Sequence, residues 1–324
     1  MNIALAGFRH SHIMRLYNSA NEHNQINLIG CFEADEYARK QAEEQDQIVF
    51  NYQSYEEILQ DERVDIIGIG DYYGRRGKMV IDALNHGKHV ICDKPICTDL
   101  DELEEIKKLA LDKHLQVMCM LDLRYLPQVD KVKEMIEAGE IGEVQIASFT
   151  GQHFLDYGNR PNWYFEEGKH GGTINDIAIH GVDLIRYLTG KNLTKVNCAK
   201  VWNAFAEKEP AFKDCGQFII EMDKMSVMAD VSYAAPKYNI LPTYWDFYFW
   251  GKKGMIHFSL REETIIYLYK DTETIIECQP NSPSYLDDFI REVNGEKTRM
   301  DTKDILESQR QVLLIQRCAD EKEE

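Results

Sequence analysis

A lysine that follows a short apolar run is the first candidate for chemistry in this chain. Residues 89–92 (His-Val-Ile-Cys) predict a buried strand, and Asp93, Lys94 and Pro95 come directly after it. Parallel sheets bind ligands at the carboxyl ends of their strands, so we expect Lys94 at the rim of a site. An ammonium group there can give or take a proton near neutral pH when its pKa is lowered. A lysine in a solvated surface turn is the common alternative.

A carboxylate and an imidazole four residues apart form the second candidate. Asp176 and His180 would share one face of an α-helix, where the carboxylate can fix the tautomer of the imidazole and raise its basicity. Gly171 and Gly172 precede this helix and allow backbone and substrate to approach closely. A helical surface pair without function is the alternative. We favour the catalytic interpretation because the helix is otherwise apolar and the chain also offers Lys94.

The turn after the first apolar run stands where a phosphate-binding loop would be. The Gly-x-Gly-x-x-Gly motif of dinucleotide-binding folds keeps only Gly7 here. Arg9 and His12 occupy the places of the other two glycines, and Phe8 and His10 lie beside them. Arg9 and His10 could pair with a phosphate next to the positive end of a helix. A plain strand–turn–helix connection explains the same residues equally well.

An acid follows the second apolar run. Glu33 comes 26 residues after Gly7, at the expected end of a strand. A carboxylate in this place can accept hydrogen bonds from a ribose diol and would repel a 2′-phosphate, which favours NAD over NADP. The alternative is that Glu33 only begins an acidic helix.

The elements that must position these residues alternate in the first part of the chain. Such alternation predicts a doubly wound parallel sheet in an α/β fold. The strand predictions are residues 2–7, 26–32, 64–70, 88–92 and 116–121, and the helix predictions are residues 12–20, 35–44, 55–59, 77–85 and 100–112.

The pattern of predicted helices and strands changes after residue 121. Helices are predicted at 127–138 and 174–188, and residues 143–154 and most of 195–278 read as strands of an open, mainly antiparallel sheet. We expect a dinucleotide-binding domain at 1–121 and a second α/β domain at 122–301. A helix at 302–319 is expected to pack back on the first domain.

Composition excludes several classes of partner and site. The net charge of −18 argues against nucleic acid and anionic membranes, which both reward basic surfaces. Eight cysteines without a Cys-x-x-Cys pair, no basic leader and no long apolar run predict a reduced, cytoplasmic protein. No metal is expected, because the histidines show neither His-x-x-x-His nor His-Glu-x-x-His spacing, and the one close pair, His10 and His12, lies in the turn.

Four stretches together resemble the Gfo/Idh/MocA family of oxidoreductases. Residues 87–95 resemble its Gly-Lys-His-Val-x-x-Glu-Lys-Pro signature, with Asp93 in place of glutamate. Residues 171–183 are similar to its Gly-Gly-Gly-x-x-x-Asp-x-Gly-x-His-x-x-Asp signature. Residues 162–164 resemble the family's tryptophan segment, and residues 123–127 resemble the segment of basic residue, aromatic residue and proline that opens its second domain.

The resemblance implies a fold and a set of roles. The first domain would be a Rossmann domain, and the open sheet of the second would join subunits of a homo-oligomer, a dimer or a tetramer. Lys94 would be the catalytic lysine, its peptide bond to Pro95 cis, and Asp176 and His180 the active-site acid and base. Glu33 would be the cofactor acid. We assign Arg124, Trp163 and Tyr164 to the substrate.

The segment after the third predicted strand departs from the family. The family has Thr-Pro-Asn and then a histidine, whereas this chain has Tyr72 at the proline and Arg76 at the histidine. Asp71, Tyr72, Arg76 and Asp93 are assigned to the cofactor side. The basic side chains at the carboxyl ends of three strands predict an anionic ligand: a more tightly held pyrophosphate, a sugar acid or a sugar phosphate. These side chains are Arg9, His10, His12, Arg75, Arg76 and Lys94.

The function expected from these observations is an NAD-dependent dehydrogenase acting on a CH–OH group of a sugar, sugar acid or polyol. His180, supported by Asp176, would take the hydroxyl proton, and Lys94 would hydrogen-bond the same oxygen. Two alternatives remain: an NAD-using glycosidase of the same fold, and a non-enzymatic sugar or nucleotide sensor that has lost tight cofactor binding. The set of Lys94, Asp176 and His180 favours an enzyme over a sensor.

Overall fold

Two compact units make up the chain. A computed structural model describes residues 1–236, 244–262, 264–279 and 284–321. The first unit consists of Met1–Met120, Glu166–Gly171 and Tyr285–Glu307, and the second of Leu121–Phe165, Gly172–Ser284 and Ser308–Glu324. None of the helices within the described residues combines the length and apolar character needed to cross a bilayer.

The first unit is built on a parallel five-stranded sheet. Its strands are β1 (Asn2–Ala6), β2 (Asn27–Phe32), β3 (Ile66–Ile69), β4 (His89–Cys92) and β5 (Val117–Cys119). The order β2-β1-β3-β4-β5 reverses direction at β1, as in a doubly wound sheet. The short apolar runs form its central strands because these are covered on both faces, and every residue of β3 is buried. The predicted Rossmann sheet is therefore confirmed.

Helices connect the strands of this sheet. They are α1 (Ile13–Glu22), α2 (Glu36–Asp46), α3 (Tyr55–Gln60), α4 (Tyr73–Asn85) and α5 (Leu100–Lys113). Asp35 caps α2 by accepting from the amide of Ala38, and Asp99 caps α5 by accepting from Asp101 and Glu102. These side chains replace helical partners that the first amides lack, so each helix begins where its cap stands.

Helix α4 begins four residues before the predicted start at Gly77. Two glycines in its first turns weaken the helical pattern in the sequence. Tertiary contact explains Gly74: a Cβ there would lie 2.0 Å from the carbonyl oxygen of Gly168, and its amide donates to Lys169 at 2.9 Å. The helix start is thus set by the packing of residues 166–171, which local propensity does not report.

The second unit contains a mixed eight-stranded sheet. Its strands are β6 (Val144–Phe154), β7 (Leu193–Trp202), β8 (Cys215–Met222), β9 (Met225–Ala235), β10 (Tyr244–Gly251), β11 (Gly254–Ser259), β12 (Ile265–Tyr269) and β13 (Glu273–Glu277). The order is β13-β12-β11-β10-β6-β9-β8-β7, and only the β6–β9 pair is parallel among these strands. This agrees with the predicted open, mainly antiparallel sheet.

The two faces of this sheet differ in burial. Phe149, Phe247 and Phe258 stand opposite one another on β6, β10 and β11 and are buried, with stacked ring centroids 5.0–5.9 Å apart for neighbouring pairs. The opposite face exposes about half of the side chains of Ile146, Met228 and Trp250. The alternation along each strand thus gives one core face and one face with large exposed apolar groups.

Helices α6 (Pro127–Glu137) and α7 (Ile179–Thr189) belong to the second unit. The sequence predicted a single α-helix from residue 174, but Ile174–Ala178 forms a π-helical turn before α7. The side-chain oxygen of Gln316 accepts from the amides of Ile174 and Asn175 at 2.9 and 3.2 Å and anchors the start of that turn. The uninterrupted helix was therefore wrong at its first turn, and π turns of this kind are frequent at functional sites.

The last two helices are α8 (Tyr285–Val293) in the first unit and α9 (Thr302–Asp320). The hydroxyl oxygen of Thr302 accepts from the amide of Val117 at 3.0 Å, within the first unit. From Ser308 onward the residues of α9 belong to the second unit, where Gln311 accepts from the amide of Leu193 at 3.1 Å.

A buried ion pair joins the second unit's α7 to the turn before α6. Arg124, which the sequence assigned to the substrate, has no exposed surface. Its Nε lies 2.7 Å from Oδ2 of Asp183 and its Nη2 lies 2.5 Å from Oδ1, while the hydroxyl of Ser308 donates to Oδ1 at 2.6 Å. The pair therefore holds Arg124 inside the second unit.

Removal of the carboxylate should therefore destabilise the protein strongly. Asp183→Ala leaves the guanidinium buried without its counter-ion, and we expect a loss of about 3–5 kcal/mol in the free energy of unfolding. Glu44→Ala is the control, because Glu44 and Lys40 form an exposed pair 3.7 Å apart, and such pairs contribute about 0–1 kcal/mol. Urea unfolding followed by circular dichroism measures both changes. Equal midpoints for the two variants would contradict the structural role of the Arg124–Asp183 pair.

Candidate functional site

Lys94 lies at the carboxyl end of β4, where the sequence predicted it. Its side chain belongs to a residue only 2% exposed, and the Lys94–Pro95 peptide bond is cis, as the resemblance implied. Asp93 precedes it and is completely buried. The candidate catalytic lysine therefore lies in a buried segment that directly follows β4.

Arg76 of α4 holds this segment in place. Its Nη1 donates to the carbonyl oxygen of Lys94 at 2.6 Å and lies 3.1 and 3.2 Å from those of Asp93 and Pro95. Its Nη2 donates to Oδ2 of Asp93 at 2.8 Å, and its Nε donates to the carbonyl of Asp71 at 2.7 Å. The guanidinium fixes the backbone around Lys94 and is itself completely buried.

The arginines that were expected to line an anion-binding crevice all face carboxylates of the same unit. Arg76 pairs with Asp93, and Nη1 of Arg75 lies 3.0 Å from Oδ2 of Asp71. Nε of Arg9 lies 3.4 Å from Asp71, and its Nη2 lies 3.4 Å from Asp35. Each of these arginines is therefore paired with a carboxylate of the protein, which is not the arrangement that the anionic-ligand prediction requires.

Two histidines of the turn meet Asp93. Nδ1 of His10 lies 2.5 Å from Oδ2 of Asp93, and Nε2 of His10 lies 3.2 Å from the hydroxyl of Tyr73. Nδ1 of His12 lies 3.4 Å from Oδ1 of Asp93. The three residues come together because β1 and β4 flank β3 and end at the same edge. Sequence reasoning noted the two histidines, but it missed Tyr73 and the link to Asp93.

Burial governs the protonation of this group. Burial lowers the pKa of His10 to about 3, against the opposing effect of Asp93, so the imidazole is neutral at pH 7. Burial alone would raise the pKa of Asp93, but Arg76, His10 and His12 outweigh it and hold that pKa well below its usual range. A neutral imidazole next to a carboxylate donates its Nδ1 proton to it, which leaves Nε2 to accept from Tyr73.

The first glycine of the turn and the acid after β2 are both held by contacts within the first unit, and Glu33 is only 3% exposed. Gly7 has φ +87°, and a Cβ there would lie 2.5 Å from the amide nitrogen of Asp71, so only glycine fits. The carboxylate of Glu33 accepts from the amides of Phe8 and Asp35. Burial raises the pKa of Glu33, and these amides oppose the rise.

Side chains fill the places of the other two glycines. The guanidinium of Arg9 lies 5.1 Å from the ring centre of Tyr72, beside the carboxylates of Glu33 and Asp71. His12 keeps 31% of its side chain exposed. The turn thus carries an arginine that faces the two buried acids, and a partly exposed histidine.

In the second unit, Asp176 pairs with a tyrosine that the sequence did not single out. The hydroxyl of Tyr233, on β9, donates to Oδ2 of Asp176, and burial, with Asp176 adding to it, raises the pKa of this phenol well above its usual range. His180 is 7% exposed, and its ring meets the ring of Trp245 edge to face with centroids 5.9 Å apart. The pattern of β9 offered no signal for Tyr233 beyond its inward-facing register.

Aromatic rings surround this tyrosine. Trp163 stacks on Tyr164 at 4.1 Å, and Tyr164 meets Tyr233 edge to face at 6.5 Å. The guanidinium of Arg160 lies 4.5 and 4.9 Å from the ring centres of Tyr164 and Tyr233. The predicted residues Trp163 and Tyr164 therefore share a cluster with the partner of Asp176, and each is about 5% exposed or less.

Comparison with protein families matches both parts of the chain. Residues 1–121 match the family described as "Oxidoreductase family, NAD-binding Rossmann fold". Residues 129–257 match the GFO/IDH/MocA C-terminal domain.

Curated relatives match over part of the chain. Levoglucosan dehydrogenase of Pseudarthrobacter phenanthrenivorans is 32% identical over 139 residues, which are 41% of this chain and 35% of that protein. The scyllo-inositol 2-dehydrogenase (NAD(+)) of Bacillus subtilis is 31% identical over 144 residues, which are 44% of this chain and 40% of that protein. In both matches the chain spans less than half the length of the relative.

Solved structures match over nearly the whole chain. A levoglucosan dehydrogenase in complex with NADH and levoglucosan superposes with a TM-score of 0.82 at 20% identity, covering 99% of this chain and 96% of that one. An oxidoreductase from Agrobacterium radiobacter in complex with NAD⁺, L-tartaric acid and magnesium gives 0.82 at 18%, covering 99% and 97%. These likenesses establish the fold, and with both family domains matched in order, the chain belongs to the Gfo/Idh/MocA family of NAD-binding oxidoreductases.

Proposed function

We propose that this protein is an NAD-dependent dehydrogenase that transfers a hydride between the nicotinamide and a hydroxyl-bearing carbon of a sugar, sugar acid or polyol. The observation that carries the proposal is Lys94, which Arg76 holds at the carboxyl end of β4 in a Rossmann sheet. Ligands of such sheets bind at these strand ends. Relatives named as levoglucosan and scyllo-inositol dehydrogenases support the substrate class.

The turn after β1 and the acid after β2 are the proposed cofactor contacts. Gly7, Phe8 and Arg9 would face the pyrophosphate, and Glu33 with the partly exposed Asp35 would face the adenosine ribose. Two carboxylates at this place repel a 2′-phosphate, which supports NAD over NADP. Bound NAD supplies the hydride acceptor, and the protein supplies position and charge.

In this proposal His180 is the base that takes the proton of the substrate hydroxyl group, and Lys94 stabilises the negative charge that develops on its oxygen. The imidazole of His180 would accept the proton, and the ammonium of Lys94 would donate a hydrogen bond to the oxygen as negative charge develops there. Asp176, whose carboxylate accepts from Tyr233, would orient the base. A carboxylate with a fixed donor keeps one direction, which is what an orienting acid requires.

A neutral sugar or polyol is favoured over an anionic substrate. The guanidinium groups of Arg75 and Arg76, which were considered for an anionic substrate, already pair with Asp71 and Asp93. An anion would have to displace these pairs, whereas hydroxyl groups need no net positive charge.

A homo-oligomer through the eight-stranded sheet is part of the proposal. Ile146, Ile219, Met228 and Trp250 lie on one face of that sheet and are 39–56% exposed. Large apolar side chains gathered on one sheet face are typical of a protein interface.

Lys94→Ala should reduce turnover far more than cofactor binding. Loss of the ammonium removes stabilisation of the developing oxyanion, and we expect kcat to fall by about 10²–10⁴-fold while the Kd for NADH changes little. NADH formation is measured in a screen of inositols, aldoses and sugar acids. Lys78→Ala, on the exposed face of α4, should keep normal turnover. Normal turnover of Lys94→Ala would overturn the assignment.

The same assays on the wild-type protein separate the alternative functions. Continuous NADH release would exclude the glycosidase cycle, and NADH binding without any turnover would indicate a sensor.

Arg76→Lys should both destabilise the protein and lower kcat. A lysine cannot replace the bonds to the carbonyls around Lys94, so we expect a loss on the order of 3 kcal/mol in unfolding free energy and a fall in kcat with a smaller change in KM. Arg75→Lys is the matched control, because its side chain is 35% exposed and its guanidinium pairs with the carboxylate of Asp71. If the two variants melt and turn over alike, Arg76 is not a positioning residue.

Glu33→Gln should weaken discrimination between NADH and NADPH. The wild type is expected to bind NADH more tightly, and loss of the charge should cost NADH about 10–100-fold in affinity, as for hydrogen bonds to charged groups. Fluorescence titration with both nucleotides measures the ratio. Glu36→Gln, in the first turn of α2, should leave it unchanged. A preference for NADPH in the wild type would contradict the assigned role of Glu33.

A further inference from the structure

Within the described part of the chain, one group of side chains combines metal-ligand chemistry with close spacing. One ligand atom each from His10, His12 and Asp93 lies within 4.8 Å of the other two. We propose that these three residues bind a divalent transition-metal ion, with Zn²⁺ as the reference ion. The proposal goes beyond the dehydrogenase function and does not depend on it.

The distance between His12 and Asp93 suits two ligands of one ion. Nδ1 of His12 and Oδ1 of Asp93 are 3.4 Å apart, too far for a good hydrogen bond. Two atoms that each lie about 2.0–2.1 Å from a tetrahedral Zn²⁺ are separated by about 3.4 Å. The pair therefore has the separation that an ion between them would require.

Asp93 supplies an independent observation. Asp93 has no exposed surface, so water does not reach its carboxylate. Its Oδ1 nevertheless has no hydrogen-bond partner among the described residues. A buried carboxylate oxygen without a partner is costly, and such an atom calls for an ion, a water or another donor. The atom is on the side of the carboxylate that faces His12.

His10 can serve as the third ligand through a change of tautomer. In the structure its Nδ1 faces Oδ2 of Asp93 and its Nε2 faces the hydroxyl of Tyr73. When an ion binds the lone pair of Nδ1, the imidazole stays neutral because its proton moves to Nε2. The oxygen of Tyr73 then accepts a hydrogen bond from Nε2–H. Metal-bound histidines usually donate their second N–H in this way, so Tyr73 is the expected outer partner.

Arg76 does not block the ion, because the two use different oxygens of Asp93. Nη2 of Arg76 contacts Oδ2 at 2.8 Å and leaves Oδ1 for the metal. The carboxylate then stands between the guanidinium and the ion and lowers their repulsion. A carboxylate that bridges two cations retains its negative charge, which is the form that a metal binds.

Access and ligand type define the class of ion. The side chain of His12 is 31% exposed, whereas those of His10 and Asp93 are 9% and 0% exposed, so an ion would enter past His12. Two imidazoles and one carboxylate suit Zn²⁺ or Co²⁺ better than Mg²⁺ or Ca²⁺, which prefer oxygen ligands. Three protein ligands leave a fourth position for water or an oxygen of another molecule.

The test is metal titration of the full-length protein after treatment with a chelator. Calorimetry with Zn²⁺ and visible absorption with Co²⁺ should report one ion per chain. His12→Ala should weaken Zn²⁺ binding by at least about 100-fold, since even outer partners contribute 10–100-fold. Tyr73→Phe should weaken it by about 10–100-fold. His23→Ala is the control, because His23 forms an unrelated pair with Asp287 at 3.1 Å in the same unit.

Each outcome decides the question. One ion per wild-type chain that His12→Ala loses and His23→Ala keeps supports the site. No stoichiometric ion in the wild type, or equal affinity in His12→Ala, overturns it. NADH titration of the chelator-treated protein is read separately: NADH binding without metal binding refutes only this inference, and metal binding without NADH binding refutes only the proposed function.

Discussion

The buried guanidinium of Arg76 is the constraint on which the first unit's site depends. An arginine has five N–H donors and cannot lose its proton, so burying one requires acceptors on every side. Here four main-chain carbonyls and the carboxylate of Asp93 provide them. Three of those carbonyls belong to the consecutive residues that include Lys94. The cost of burying the charge is thus offset by the same bonds that fix the candidate catalytic lysine.

Asp93 carries this constraint from the lysine segment to the turn after β1. One carboxylate contacts Arg76 on α4 and His10 in the turn, and its second oxygen faces His12. These partners come from α4 and from the turn after β1, so Asp93 ties the two segments together, and loss of Arg76 would leave the buried carboxylate without its guanidinium counter-ion. Removal of one member of such a network commonly costs more than a surface ion pair contributes. The turn after β1 is therefore held in place by side-chain contacts of His10 and His12 with Asp93. In the glycine motif, two of the positions in this turn carry no side chain.

Apolar runs and strand ends were predictable from the sequence. Continuous buried runs such as residues 66–69 have one simple explanation, a parallel strand covered on both faces. The same kind of pattern placed Glu33 and Lys94 just after the ends of strands β2 and β4. Gly7 was also recognisable in the sequence as the first glycine of the phosphate-loop motif, and the structure gives it a φ of +87°.

Features set by contacts between distant residues were not predictable. Arg76 reads as an anion-binding residue in the sequence, and only the structure brings the carbonyls of residues 93–95 to it. Tyr233 is one of many aromatic residues in strands until β9 places it against Asp176. The π turn at Ile174–Ala178 depends on Gln316, 142 residues from Ile174 along the chain. None of these partners leaves a periodic signal near its own position.

The candidate catalytic side chains of the two units share one physical feature. In each, a buried polar group is oriented by protein partners: Lys94 through the bonds of Arg76 to its backbone, and Asp176 through the hydroxyl of Tyr233. Groups oriented before a ligand arrives need not reorganise during a reaction, and a low-dielectric surrounding strengthens their electrostatic effect. Solvent-exposed groups in the same places would lose this advantage to water. The burial of Lys94, Asp176 and His180 is thus the physical reason to propose chemistry for them, because charges and dipoles act more strongly on a bound oxygen where water is excluded.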